Sequence, residues 1–279
     1  MSARPDVTEL QRWRDLAREL GGVIRRSQRP TCFLLGAGAS LSSGCPTTSQ
    51  VEEAFRAATG ARFQGLDRMR MIQTLPESEK QDILAPLFSG VRPGPGYLAL
   101  AALAKHRRII VLNLNWDDAL AQACHRTGTC IKPFDITSEP DTWPPSFTAS
   151  PDPCLYDVHL HGILGTECRY GTLETLSFRA EAQAYLVENG LQNTTVCIGA
   201  SLNNENDLPE LFRASMHAGD PARPSSQHWY FIRGALTPGP EDRMRQAITQ
   251  ASPITYVRGP DVDFDRVVTL IVDSALSFV

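Results

Sequence analysis

The sequence predicts an α/β fold: a Rossmann-like, doubly wound, mainly parallel sheet with a small inserted helical module. Three observations predict it. Short continuous apolar runs such as CFLLG (32–36) and IIVLNLN (109–115) recur along the chain, as strands buried on both faces do. Stretches with helical spacing alternate with them. Four of the runs end in polar or glycine-rich loops, the place where an open parallel sheet binds its ligands.

Taken in order, residues 8–26 place Leu10, Trp13, Leu16, Leu20 and Ile24 at helical spacing. CFLLG follows as a buried strand. Ser49-x-x-Glu52 reads as a capping box opening a helix through Val51, Phe55 and Ala58. Residues 60–95 are more polar and read as the inserted helical module. GPGYLALAALAKHR (94–107) is a helix and IIVLNLN the next strand. WDDALAQACHR (116–126) is a helix whose acidic start suits its N-terminal dipole. Residues 132–153 are proline-rich and read as irregular loop.

LYDVHLHG (155–162) is a strand, LSFRAEAQAYLVEN (176–189) a helix and TTVCIGASL (194–202) a strand. HWYFIRGA (228–235) and ITYVRG (254–259) are further strands, with EDRMRQAITQ (241–250) a helix between them. DVDFDRVVTLIVDSAL (261–276) is a closing helix. All of this fits one domain over residues 1–279, with no internal repeat.

The bulk properties narrow the function classes. The chain is 42% apolar and 21% charged, the balance of an ordinary globular protein. Its formal net charge is -4 and its pI about 5.9, a poor basis for direct nucleic-acid binding, which rests on basic phosphate contacts. The N-terminal stretch lacks the apolar core of a signal peptide, and no segment reaches the roughly 18 apolar residues of a membrane span. Seven scattered cysteines form no C-x-x-C pair. They read as reduced thiols of a cytoplasmic protein, and no metal site is signalled.

The chemistry gathers at four strand ends: GAGAS (36–40), NLNWDD (113–118), HLHG (159–162) and GASLNNEND (199–207). Glycines let backbone N–H groups approach an anion, so the GAGAS loop suits a phosphate or pyrophosphate. It is neither a Walker loop nor a full dehydrogenase fingerprint, since Leu41 stands where a third glycine would. A tight turn with packing glycines is the other reading. Strand alternation puts Asn113 and Asn115 on one face, and Asp117 reads either as a site residue or as a helix cap. His159 and His161 share a face, with Asp157 before them; an imidazole there could act as a base near neutral pH.

Taken together and in order, GAGAS…SGCP, NWD, HG and GASL resemble the motifs of the sirtuin superfamily, closest to the bacterial silent-information-regulator-two-like NAD hydrolases of the defence-associated type. The likeness spans roughly residues 32–210. Gly36, Ala37, Gly38 and Ser40 match its first motif, and Gly44 and Pro46 its second, with Cys45 in place of Ile. Asn115 and Asp117 match the third, His161 and Gly162 the fourth. Gly199, Ser201 and Leu202 match the last, with Ala200 in place of Thr.

By this resemblance the first and last motifs, Gly36, Ala37, Gly38, Ser40, Gly199 and Ser201, hold the phosphates and ribose of NAD, and Pro46 lines the same site. Asp117 takes the nicotinamide carboxamide. Asn115 and His161 flank the scissile ribose, and His159 is left without a role. Two departures matter. The four-cysteine zinc module of deacetylating sirtuins is missing, as only Cys168 and Cys197 follow His161. Thr47, Thr48 and Ser49 replace the D-F-R of the second motif, so the phenylalanine thought to shield the ribosyl cation from water is absent. The resemblance therefore implies NAD hydrolysis to nicotinamide and ADP-ribose, gated by a homo-oligomer or by a sensor or activator partner. A deacylase or ADP-ribosyltransferase, and a non-catalytic NAD or ADP-ribose sensor, are the alternatives.

Overall fold

The structure is a computed structural model that describes residues 7–60, 75–136, 138–147, 152–162, 180–200, 211, 228–233, 254–259 and 261–277. Seven strands form one sheet: β1 (Thr31–Leu35), β2 (Ile109–Asn113), β3 (Ile131–Asp135), β4 (Leu155–His159), β5 (Thr194–Ile198), β6 (His228–Arg233) and β7 (Ile254–Gly259). Their order across the sheet is β3-β4-β2-β1-β5-β6-β7, and every neighbouring pair is parallel. The doubly wound, Rossmann-like α/β class is therefore the fold. From β1 the chain builds outward first through β2, then returns to add β5 on the opposite side. The crevice where that order reverses lies between the ends of β1 and β5.

Alternation in the central strands divides the core in two. Phe33, Leu35, Ile109, Val111, Val196 and Ile198 point to one face. There they meet α1 (Val7–Arg26), α4 (Pro95–Ala104), α5 (Ala119–Thr127) and α7 (Phe264–Leu276). Cys32, Leu34, Ile110, Leu112, Val158 and Cys197 point to the other face. They meet Trp143, Phe147 and α6 (Ala180–Leu186), which runs on as a π-helix over Val187–Leu191. Both faces of the inner strands are thus covered, which is why those strands read as unbroken apolar runs.

Two expectations are corrected. The stretch 132–153 is not loop throughout: β3 pairs with β4 from Ile131↔Leu155 to Asp135↔His159. Pro133 hid it, yet proline is tolerated here because β3 is the sheet's edge. The capping box lies two residues earlier than expected. Thr47 caps α2 (Thr48–Thr59), its hydroxyl accepting from Gln50 N while Gln50 Oε1 accepts from Thr47 N at 2.8 Å. Both Thr47-x-x-Gln50 and Ser49-x-x-Glu52 fit the pattern, and the helix takes the earlier one.

Of the expected inserted module, 61–74 lies outside the described residues. Its remainder contributes α3 (Glu77–Phe88), whose Leu84 joins Val51, Phe55 and Leu75 in a small separate core. The helix expected over 241–250 also lies outside the described residues. The six described cysteines are all free thiols. The register of β3 on β4 sets Cys130 beside Cys154, with the two sulfurs 3.0 Å apart. No helix among the described residues is long and apolar enough to cross a membrane.

Candidate active site

The GAGAS loop leaves β1 as a short 3-10 turn over Ala37–Ala39. It is pressed against the loop that leaves β5. Gly36 N donates to Ile198 O and Gly38 N to Gly199 O at 2.8 Å. A Cβ at Gly36 would run into Ala200 Cα, and one at Gly38 would lie 2.9 Å from Gly199 O. Gly199, at φ +72, faces Ala39 N with equally little room. The glycines are thus used to let two backbones touch across the crevice. Ala39 N and Ser40 N also close onto carbonyls within the turn. Among the described residues, Ala37 N is the amide of this loop left without a partner, at an exposed position.

β2 ends at Asn113, and a second buried network begins there. Asn115 Nδ2 donates to Gly36 O at 3.2 Å and to Tyr97 Oη at 3.3 Å. Tyr97 Oη and Ser40 Oγ are 2.7 Å apart, and Ser40 Oγ donates to Asp117 Oδ2 at 2.6 Å. Ser40 has one proton, so Tyr97 donates to Ser40. The result is a one-way chain, Asn115 to Tyr97 to Ser40 to Asp117, that ends on a carboxylate and in which each bond polarises the next. Asp117 also accepts from Ala119 N at 3.0 Å through Oδ1. Asp117 thus holds the first amide of α5, one residue before the N-cap Asp118, and is the terminus of the chain.

Burial pushes the Asp117 carboxyl above its ordinary range, against the opposing hydrogen bonds from Ser40, Ala119 and Cys45. Burial, and then the Asp117 charge, push Tyr97 well above its ordinary value and raise the Cys45 thiol as well. Cys45 is therefore held as a neutral thiol against Asp117. Pro46 follows it, half-buried.

Tyr97 was missed by sequence reasoning. Its signal was faint: a tyrosine in an otherwise Leu/Ala helix, one turn after Gly94 and Pro95. The structure places it through α7, where Asp265 Oδ1 accepts from Gly96 N at 2.7 Å. Phe264 stacks on the ring with centroids 4.8 Å apart.

His161 is buried two residues past the end of β4, the strand that pairs with β2. Leu160 N donates to Asn113 O at 2.9 Å, which ties this bend to the start of the Asn115 segment. Asn115, Asp117, Ser40 and His161 all stand at the carboxyl ends of adjacent strands. Ser201 lies outside the described residues. Among the described residues no group of three or more His, Cys, Asp and Glu is arranged to hold a metal.

Removing one link of the chain has a calculable consequence. Ser40→Ala takes the hydroxyl from a buried carboxylate and is expected to cost about 1–3 kcal/mol at neutral pH. The folded Asp117 carboxyl already lies above its unfolded value, so the folded state binds the extra proton and stability falls as pH rises through that interval. Ser40→Ala raises Asp117 further. Its deficit, measured by urea unfolding at several pH values, should shrink on acidification; a deficit independent of pH counts against the chain.

Comparison with protein families finds no matching family model, and comparison with curated proteins finds no match. Among solved structures, the chain is similar to one described as "Structural Basis for the Mechanism and Regulation of Sir2 Enzymes". The two share 13% identity over 94% of this chain and 98% of that one, with a TM-score of 0.47.

Proposed function

We propose that the chain is an NAD glycohydrolase, cleaving the bond between nicotinamide and ribose to give nicotinamide and ADP-ribose. The observation that carries this reading is the chain from Asn115 through Tyr97 and Ser40 to Asp117, set at the β1–β5 crevice, with the buried His161 past the end of the strand that pairs with β2. The leaving group is a cationic pyridinium, so its departure needs no proton donor. What the reaction needs is a held geometry, a polar surround for the developing ribosyl cation and a placed water.

In this reading Asn115 orders the water and His161 takes its proton or that of a ribose hydroxyl. Asp117 receives the carboxamide of nicotinamide. Gly36, Ala37, Gly38, Ser40, Pro46, Gly199 and Ser201 line the path of the dinucleotide. NAD is the substrate, and no metal takes part in the mechanism. Because unchecked NAD loss is toxic, turnover is gated by assembly with further copies of the chain or with a sensor partner, as suits an effector of bacterial anti-phage defence.

The test is to incubate the purified chain with NAD and separate the products by chromatography, with His161→Ala alongside. Nicotinamide and ADP-ribose from the wild type, reduced by about a hundredfold or more in His161→Ala, are expected. Bound but intact NAD, under conditions that include enforced assembly, would instead mark a sensor.

A further inference from the structure

We infer that His159 is a positioning residue for Asn115: it holds Asp157, which through Asn113 fixes the Asn115 N–H, in a buried relay of polar contacts. Its bearing on catalysis rests on the NAD-cleavage reading; the relay itself does not.

Asn115 N donates to Asn113 Oδ1 at 3.0 Å. Asn113 Nδ2 donates to Asp157 Oδ1 at 3.0 Å. Asp157 Oδ2 lies 3.2 Å from His159 Nε2. The three side chains share one face of the sheet, because Asn113 and His159 are partners in the β2–β4 register and Asp157 is two residues back along β4. His159 is 5% and Asp157 2% exposed, so neither can be satisfied by bulk water. His159 Nδ1, equally buried, completes no hydrogen bond of normal geometry.

The charged neighbours decide what that nitrogen carries. Burial acts first and disfavours the imidazolium. The Asp157 charge and hydrogen bond, the Asn115 carbonyl and the charge of Asp135 outweigh it together, leaving His159 above its ordinary value of 6.5. Asp135 reaches it from β3, where it is the register partner of His159. Asp117 and Cys124 act on the same cluster through Asp157. Protonated, the imidazole sets a full positive charge against the Asp157 carboxylate that accepts from Asn113 Nδ2. When His159 releases a proton to solvent, Nε2–H stays on Asp157 but the charge is lost, and the hold on Asn113, and through it on the Asn115 N–H, weakens. The relay is therefore a pH-dependent clamp, firm below the His159 midpoint and loosened above it.

The experiment follows the ¹⁵N-labelled full chain by NMR from about pH 5 to 9. The His159 imidazole is identified by its loss in His159→Gln. The expected result is a His159 midpoint above 6.5 and an Asn115 amide resonance that shifts through that same midpoint. In His159→Gln the Asn115 amide should lose the inflection at that midpoint. Should that variant not fold, Asp157→Asn must lower the His159 midpoint, with the Asn115 amide following it.

NAD turnover supplies the catalytic half. Wild-type kcat should fall about tenfold or more as pH rises through the midpoint, with KM within about twofold, and His159→Gln should remove that limb. An Asn115 amide that ignores the titration of His159, or a midpoint below 6.5, overturns the inference. A chain that cleaves no NAD overturns the hydrolase reading and leaves the clamp to be judged by the resonances alone.

Discussion

Asn115→Ala is expected to bind NAD within a few-fold of wild type and to cleave it about a hundredfold more slowly, or worse. The expectation comes from how the side chain is held. Both Nδ2 hydrogens are used, on Gly36 O and Tyr97 Oη. Oδ1 is the remaining polar atom of the side chain, and in the proposed reaction it is the acceptor that orders a water against the ribose. Alanine removes the acceptor and leaves the Gly36 carbonyl and the Tyr97 hydroxyl each short of a donor, for about 1–2 kcal/mol of stability. The two losses separate experimentally: single-turnover cleavage reads the first, urea unfolding the second. Cleavage within about threefold of wild type would remove Asn115 from the mechanism.

Gly36→Ala is expected to be strongly destabilising, at about 3 kcal/mol or more. Ordinary overpacking is relieved when a side chain rotates. Here the obstacles are Ala200 Cα and N and Gly199 O, all backbone, so relief requires the ends of β1 and β5 to separate. The control is Gly44→Ala. A Cβ there meets nothing within 4 Å, and the cost is only that of a left-handed backbone at φ +83, about 1–2 kcal/mol. Urea unfolding of both variants isolates the loop contact. Equal losses would show that the close approach carries no special cost.

The fold was legible because the inner strands are buried on both faces and their turns are polar. The five inner strands read as strands for that reason, and the edge strand β7 reads so as well. β3, the other edge, does not, because an edge strand is exempt from both conditions and this one carries Lys132 and Pro133. The site was legible as a set of strand ends, but its wiring was not. Asn115 and Asp117 are two residues apart in sequence, yet are joined through Tyr97 and Ser40, which come from two other parts of the chain. Ser40 reads from sequence as a phosphate-loop residue, and nothing there shows its hydrogen bond to the Asp117 carboxylate. His159 shows the same limit from the other side. Nothing in HLHG sets it apart from His161; the register of β2 on β4 does, by delivering it to Asp157 and Asn113.

The hydrogen bond from Gly96 to Asp265 spans 169 positions of sequence. Tyr97 is seated by residues of α7, the last described helix, while every other member of its chain belongs to the first half of the protein. During synthesis β1, β2 and the helices between them emerge long before the segment that seats Tyr97. Contacts so far apart in sequence form late. A nascent chain therefore carries Ser40, Asn115 and Asp117 without the linkage that joins them. The order of translation itself keeps the proposed NAD-cleaving centre incomplete until α7 has docked.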